Sequence, residues 1–153
     1  MPTEKLKCAF TGHRNLNSFD FDYERLRQTV YMLLDRGFSV FYCGMALGFD
    51  MLAAECLLEF RSQYKFKLAA VIPCVGQADR FSRYERERYK KILAACDDFI
   101  ILSDEYYSGC MQVRDRYMVD NCDVVVAFLR KKSGGTYYTV GYAKKHGKEI
   151  IEL

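Results

Sequence analysis

Residues 123–153 read "DVVVAFLRKKSGGTYYTVGYAKKHGKEIIEL", with two apolar runs on either side of a glycine-rich corner and a longer polar and aromatic segment. The first run, "DVVVAFL", is short and rich in β-branched residues, which is typical of a buried strand. "TYYTVGYAKKHG" predicts a helix, and "KEIIEL" predicts a second strand. A strand, a helix and a strand in this order indicate a βαβ unit with parallel strands.

The same alternation extends back to the start of the chain. Four earlier apolar runs are predicted strands, namely "KLKCAFTG", "FSVFYCG", "FKLAAVIPC" and "DDFIILS". Four predicted helices separate them or follow them, namely "FDYERLRQTVYMLLDRG", "DMLAAECLLEFRSQY", "DRFSRYERERYKKILAAC" and "MQVRDRYMVDNC". The order predicts an α/β fold, a doubly wound and mainly parallel sheet with helices on both faces. With no linker or repeat in the chain, we expect one domain over residues 1–153.

Composition narrows the class of protein. Of 153 residues, 50% are hydrophobic and 28% are charged, which is typical of a globular protein. The formal net charge of +3 argues against a nucleic-acid partner. No apolar stretch approaches the roughly 20 residues that span a bilayer, and "MPTEKLKCAFTG" lacks the pattern of a signal peptide. We therefore expect a cytoplasmic protein that does not bind membranes.

The cysteines do not form a recognisable metal or disulfide pattern. No two of them are closely spaced, and most lie in apolar runs, so we expect reduced core residues and no metal site. The seven cysteines are Cys8, Cys43, Cys56, Cys74, Cys96, Cys110 and Cys122.

Ligands of open α/β sheets bind at the carboxyl ends of the strands, so the segments that leave those ends are the candidate site. In "TGHRN", Thr11 offers a hydroxyl, Gly12 allows close approach, and Arg14 offers a planar fork suited to phosphate. His13 is a candidate acid or base without a visible partner. The alternative is an ordinary polar loop with a surface arginine.

Two further loops contain glycines next to a predicted helix. Gly44 and Gly48 flank a turn in "CGMALGFD", where backbone N–H groups can converge on an anion, and Asp50 suits the positive end of the helix that follows. The spacing matches neither the P-loop nor the dinucleotide fingerprint. The alternative is a glycine-assisted turn that ends in an acidic helix cap.

Of the three loops, residues 133–136 have the clearest features of a ligand-binding loop. Gly134 and Gly135 lack a Cβ, so a ligand can approach the main chain closely. Thr136 can cap the helix while its hydroxyl faces the ligand, and Ser133 adds another hydroxyl. The alternative is a flexible connection after the basic run 130–132. Together, the three loops predict a pocket for a phosphate-bearing nucleotide.

Other side chains could complete such a pocket. Arg114, near the start of its helix, can face a phosphate or a ribose, and the alternative is a surface ion pair with Asp115 or Asp104. Aromatic rings could stack on a base, although packing explains most tyrosines. These rings are Tyr106, Tyr107, Tyr137 and Tyr138.

Four motifs together resemble the SLOG superfamily, the Rossmann-like group that contains the Lonely Guy phosphoribohydrolases and the DprA-like proteins. They are "TGHR", "CGMALGFDMLAAE", "RDRYMVDNCDVVVAFL" and "GGTYYTVGYAKKHGKEI". The chain is most similar to the small YpsA-like members. The resemblance implies a Rossmann-like fold that binds nucleotides or their derivatives, of the NAD or ADP-ribose type. It implies that Arg114 matches a ligand-facing arginine and that residues 134–136 match the phosphate loop.

The chain departs from the resemblance at the catalytic position. Lonely Guy enzymes have a P-G-G-x-G-T-x-x-E loop, whereas this chain reads "SGGTYYTVGYA", without an acidic residue in the following helix turn. Asp50 and Glu55 are the nearest substitutes as acid or base. Whether the chain is an enzyme therefore stays open.

Three functions follow as hypotheses. The first is the binding or sensing of a nucleotide-derived small molecule, with no further cofactor required. The second is hydrolysis of a nucleotide at its N-glycosidic bond, and the third is DprA-like binding of single-stranded DNA. The resemblance and the tyrosines also favour a homodimer.

Overall fold

A computed structural model describes residues 5–153. Residues 1–4, which belong to the predicted domain and to the N-terminal segment discussed above, lie outside the described part. The six strands are β1 (Leu6–Gly12), β2 (Phe38–Cys43), β3 (Lys67–Ile72), β4 (Asp98–Ile101), β5 (Val124–Phe128) and β6 (Glu149–Glu152). The five α-helices are α1 (Tyr23–Asp35), α2 (Phe49–Leu58), α3 (Arg83–Ala95), α4 (Cys110–Asp120) and α5 (Gly134–Lys145). A 3₁₀ turn at Leu16–Ser18, which the sequence did not predict, follows β1.

The strands form one sheet in the order β4-β3-β2-β1-β5-β6, and every neighbouring pair is parallel. The chain builds outward from β1 to β4 and then returns to the other side of β1 with β5. The strand order therefore reverses between β1 and β5, where a crevice opens at the carboxyl edge of a doubly wound sheet. The predicted Rossmann-like α/β fold is confirmed.

Alternation along the strands assigns the helices to two faces. Cys8 and Phe10 of β1 point into one apolar core and Ala9 points into the other, as the period of two requires. Helices α1, α2 and α3 cover the first core, and helices α4 and α5 cover the second. Because both faces are buried, the central strands are continuous apolar runs rather than alternating ones.

Several helix boundaries differ from the prediction by two residues or more, as three helices illustrate. Helix α2 ends at Leu58 rather than at Tyr64. The next turns are closed by hydrogen bonds from residue i to residue i−3, such as that from the Phe60 N–H to the Leu57 carbonyl. Helix α3 begins later, after Ser82, whose side chain forms a reciprocal capping box with Glu85. Helix α5 begins two residues earlier, at Gly134.

All seven cysteines are free, and six of them are buried while Cys96 is partly exposed. Cys8, Cys43 and Cys56 lie in the first core and Cys122 in the second, which agrees with the predicted packing role of most of the cysteines. Across residues 5–153 the structure has no helix that is both long enough and apolar enough to cross a membrane.

Candidate functional site

A cavity of about 450 Å³ lies at the reversal of strand order, beside the carboxyl ends of β1 and β5. Its walls come from the loop after β1, the first turns of α2 and α4, and the corner that leads into α5. The lining residues are Thr11, Gly12, His13, Arg14, Asn15, Phe19, Ala46, Asp50, Met111, Gln112, Arg114, Asp115, Lys131, Gly134, Gly135 and Thr136.

Most of the predicted site residues meet in this cavity. Those that line it are Thr11, Gly12, Arg14, Asp50, Arg114, Gly134, Gly135 and Thr136. Four others lie outside its wall: Gly44, Gly48, Ser133 and Glu55. The segments after β1, before α5 and at the starts of α2 and α4 thus converge at one edge of the sheet.

The glycines before α2 make room for protein atoms rather than for a ligand. A Cβ on Gly44 would lie 2.7 Å from the Arg114 guanidinium. A Cβ on Gly48, where φ is +80°, would overlap the backbone carbonyl of Arg14. Internal packing therefore requires glycine at both positions, and neither residue lines the cavity. Gly12 has a similar role, since a Cβ there would overlap the Phe49 ring.

The corner before α5 is open instead. Gly134 has a φ of +90°, and an added Cβ would touch only the end of the Lys131 side chain, at 4.0 Å. A Cβ on Gly135 would meet no atom within 4 Å. The N-cap of α5 is Ser133 rather than Thr136, and its side chain makes no capping hydrogen bond. The buried Thr136 lies in the first turn and lines the cavity, so the prediction that Thr136 caps the helix is wrong.

The helix N-termini fall into two groups. Helices α1 and α3 are capped by the side chains of Asp22 and Ser82. Helices α2, α4 and α5 have no side-chain cap, and their first turns are those that line the cavity. The positive ends of three helix dipoles thus converge on one space.

A buried ion pair forms the floor of the cavity. Arg114 is 4% exposed, and its Nε donates to Asp115 Oδ1 at 2.6 Å. Its Nη1 donates to the Gly44 carbonyl at 2.6 Å, which ties α4 to the end of β2. The predicted pairing with Asp115 is thus present, but it is buried rather than on the surface. Two of the three guanidinium nitrogens of Arg114 are thus engaged, and the third, Nη2, contacts the Met111 sulfur at 3.9 Å.

Asp50 lies beside this ion pair and is 5% exposed. Its carboxylate accepts a hydrogen bond of 3.4 Å from the Ala46 N–H. Burial raises the pKa of Asp50, the Arg114 charge opposes this effect, and the nearby Asp115 supports it, so that the pKa is about 7. Asp50 therefore exchanges a proton near neutral pH, directly at the cavity wall.

His13 is buried and has a fixed tautomer. Its Nε2 accepts a hydrogen bond of 2.8 Å from the Arg130 N–H, and its ring stacks against Phe19. Burial lowers the pKa of His13, and the charges of Lys131 and Arg130 lower it further. The neutral imidazole joins the β1 loop to the end of β5, and its Nε2 lone pair is occupied.

Two cations stand at the mouth of the cavity. Arg14 and Lys131 are exposed, and neither forms an ion pair with a carboxylate of residues 5–153. Arg130, by contrast, pairs with Asp20 at 2.8 Å and packs over the Phe128 ring. The basic run 130–132 is therefore divided, and only Lys131 of that run lines the cavity.

Glu55 does not reach the cavity. It accepts hydrogen bonds of 2.9 and 3.0 Å from the Arg88 Nε and pairs with the same guanidinium through Nη2, which joins α2 to α3. Of the two acidic candidates, only Asp50 lines the cavity.

Several lining residues were not predicted, although their positions contain a signal. Met111 and Gln112 follow the end of β4, and Lys131 follows β5, so each belongs to a segment that leaves the carboxyl edge. None of these residues belongs to a recognised ligand-binding motif, so only their place after a strand could have predicted that they line the cavity. The remaining unpredicted residues are Asn15, Phe19, Ala46 and Asp115, whereas His13, the candidate acid or base of the first loop, also lines the cavity.

Comparison with known proteins identifies the family. Residues 9–150 match the model of the YspA SLOG family, named YpsA. The chain belongs to this family. The match covers every strand except the start of β1 and the end of β6, together with all three loops of the cavity.

The curated relatives of this YpsA-family chain belong to the UPF0398 proteins. One from Halalkalibacterium halodurans is 26% identical over 142 residues, which cover 90% of this chain and 74% of the relative. One from Bacillus thuringiensis is 26% identical over 153 residues and covers 92% of this chain and 83% of the relative.

Solved structures share the fold. DNA processing protein A (DprA) from Helicobacter pylori superimposes with a TM-score of 0.71 at 21% identity, over 97% of this chain and 65% of that chain. DprA from Streptococcus pneumoniae gives 0.69 at 20% identity, over 97% of this chain and 50% of that chain. The molybdenum cofactor carrier protein of Chlamydomonas reinhardtii gives a TM-score of 0.64 at 18% identity, over 98% of this chain and 77% of that chain. This YpsA-family chain thus spans about half to three quarters of these proteins, and at such identities the likeness shows the fold alone.

Proposed function

We propose that this chain binds a phosphorylated, nucleotide-type small molecule of the NAD, ADP-ribose or nucleoside phosphate class in the cavity at β1 and β5. The observation that supports it most is the open N-terminus of α5, where Gly134 and Gly135 leave the backbone accessible and Ser133 provides no cap. Backbone N–H groups at a helix N-terminus favour a phosphate both by hydrogen bonding and through the dipole.

The charges around the cavity support the same ligand. Arg14 and Lys131 at the mouth are suited to neutralise phosphate oxygens, because no described carboxylate pairs with either of them. At about 450 Å³, the cavity lies within the range that holds small molecules. Thr136 and Thr11 line the wall and offer hydroxyls to the same oxygens.

Two substitutions on α5 test this proposal. Gly135→Asp places a carboxylate where the phosphate is expected, in space that no other atom fills. Gly141→Asp makes the same change of charge on the same helix, again into empty space, but outside the cavity wall. We expect ADP-ribose, NAD or ADP to raise the Tm of the wild type and of Gly141→Asp, and to leave that of Gly135→Asp unchanged.

The readout is thermal unfolding with each ligand at concentrations up to millimolar. A wild-type protein whose Tm does not move with any of these nucleotides would contradict the proposal. So would a shift that Gly135→Asp retains in full.

Hydrolysis of the bound nucleotide is a second candidate, favoured by Asp50. A carboxyl group with a pKa of about 7 at the cavity wall can give or take a proton near neutral pH. Incubation with AMP and NAD, followed by chromatography for the free base, tests it. Turnover by the wild type that is lost in Asp50→Asn would support hydrolysis. The absence of any product from the wild type would refute it.

Binding of single-stranded DNA is a third candidate, since the Helicobacter pylori DprA that shares this fold binds single-stranded DNA. The small net charge of +3 argues against it, because affinity for DNA rests on neutralised phosphates. Gel shifts with a labelled oligonucleotide at 50 and 200 mM salt decide: a complex that weakens steeply with salt supports it, and no complex at low salt excludes it.

A further inference from the structure

A second cavity adjoins the first at the same edge of the sheet. It has a volume of about 810 Å³ and lies beside the carboxyl ends of β2, β3 and β4. The two cavities share Arg14, Ala46 and Met111 as wall residues. They are therefore neighbouring compartments of one crevice, separated by a common ridge.

The second cavity presents apolar and aromatic surface that the fold leaves uncovered. Val75 is 57% exposed and Tyr106 is 70% exposed, and both line it together with Leu47 and Phe81. Exposed apolar side chains grouped in a concave wall are typical of a binding surface rather than of an ordinary exterior.

The wall is held by hydrogen bonds to neighbouring elements. The Val75 N–H donates to the Ser103 carbonyl at 3.0 Å, which joins the loops after β3 and β4. Gln77 donates from Nε2 to the Gly44 carbonyl at 2.9 Å and accepts from the Tyr89 hydroxyl at 2.9 Å. The compartment is thus built into the fold before any ligand arrives.

The two compartments differ in charge. Three carboxylates line the second cavity, from Asp79, Asp104 and Glu105, against two arginines, Arg80 and the shared Arg14. None of these five groups forms an ion pair within residues 5–153. The open helix N-terminus and Lys131 belong to the first cavity only. A phosphate is therefore favoured in the first cavity and disfavoured in the second.

We propose that the second cavity is a subsite for an uncharged aromatic ring that belongs to the same ligand whose phosphate occupies the first cavity. This inference rests on the proposed function and deepens it, because it assigns the base of the nucleotide to the second cavity and the phosphates to the first. Tyr106 and Val75 contact the ring, and Arg14 on the ridge contacts the phosphates. The loop of Arg14 is fixed, because the Phe49 N–H donates to the His13 carbonyl at 3.1 Å.

Adjacent tyrosines provide a matched pair of variants. Tyr106 lines the second cavity, whereas Tyr107 is exposed but lines neither cavity. Tyr106→Ala removes ring stacking at the subsite, and Tyr107→Ala removes the same side chain one residue away. The probes are ADP-ribose, which contains a ring, and ribose 5-phosphate, which contains none.

Calorimetric titration of the full chain gives the dissociation constants. We expect Tyr106→Ala to weaken the affinity for ADP-ribose about fivefold to tenfold, because one stacking partner of the ring is lost. The affinity for ribose 5-phosphate should equal that of the wild type. Tyr107→Ala should leave the affinity for both probes within twofold. Val75→Asp, which adds a charge to the same wall, should weaken ADP-ribose in the same direction as Tyr106→Ala.

The outcomes separate this inference from the proposed function. If ADP-ribose binds and Gly135→Asp abolishes that binding, but Tyr106→Ala behaves as Tyr107→Ala does, the subsite is refuted and the phosphate site stands. An equal loss for both probes in Tyr106→Ala also refutes the subsite. If ADP-ribose, NAD and ADP all fail to bind to the wild-type protein, the proposed function and the subsite are refuted together.

Discussion

At the scale of single residues, glycines with similar sequence surroundings serve opposite purposes. Gly44 and Gly48 are required because Arg114 and the Arg14 backbone occupy the space of a side chain. Gly134 and Gly135 face open space at the cavity. The first pair contributes to internal packing, and the second pair leaves main-chain donors accessible to a ligand.

Alanine substitutions should separate these purposes. Gly48→Ala forces a side chain onto a residue with a φ of +80° and into the Arg14 carbonyl, so we expect a loss of about 3 kcal/mol in the free energy of unfolding. Gly135→Ala meets no atom and lies in a helix, so we expect no loss and a gain of up to about 1 kcal/mol. Urea unfolding of both variants gives the comparison, and equal losses would contradict the division.

Asp50 should make stability depend on pH. Its pKa is about 7 in the folded protein and 3.8 as the ordinary value, so the folded state holds the proton more tightly. The resulting stabilisation is complete below about pH 4 and is lost as the pH rises through 7. We expect the wild type to lose on the order of 2 to 4 kcal/mol over this range relative to Asp50→Asn. Urea unfolding at pH 5 and pH 8 measures the difference, and parallel curves for the two proteins would be inconsistent with it.

At the scale of elements, the helix N-termini differ in what satisfies their N–H groups. Side chains cap α1 and α3, whereas α2, α4 and α5 open onto the cavity without a side-chain cap. The uncapped termini are thus those at the cavity, where the proposed phosphate would meet free N–H groups, whereas α1 and α3 are capped by the protein itself.

Two serine substitutions test this contrast. Ser82→Ala removes the capping box of α3 and should lower the free energy of unfolding by about 1 kcal/mol. Ser133→Ala occupies the matching position of α5, where the side chain makes no capping bond, and should change stability by less than about 0.5 kcal/mol. Thermal and urea unfolding of the two variants give the comparison. A loss in Ser133→Ala as large as that in Ser82→Ala would show that α5 is capped in solution.

At the scale of the whole molecule, the crevice results from the reversal of strand order. Because β5 returns to the free side of β1, the loops after these two strands face each other, and the His13–Arg130 hydrogen bond joins them. The family is shown by a match that spans nearly the entire chain. A homodimer, a cytoplasmic location and a single domain over 1–153 stay predictions.

The sequence by itself determined the order of strands and helices, the two-sided burial of the sheet and the three loops at its carboxyl edge. These features follow from local signals, since apolar periodicity and glycine positions act over a few residues. It also identified the corner at Gly134 and Gly135, because a glycine pair after a buried strand is itself the signal.

Only the tertiary structure decided which glycines are open, which arginine is free and which carboxylate lines the cavity. Arg14 follows β1 and Arg114 lies early in α4, yet Arg114 is buried against Asp115 and Gly44 while Arg14 is exposed at the mouth of the cavity. Asp50 and Glu55 share one helix, yet one lines the cavity and the other pairs with Arg88 on α3. The physical reason is that burial and pairing depend on contacts between residues far apart in the chain.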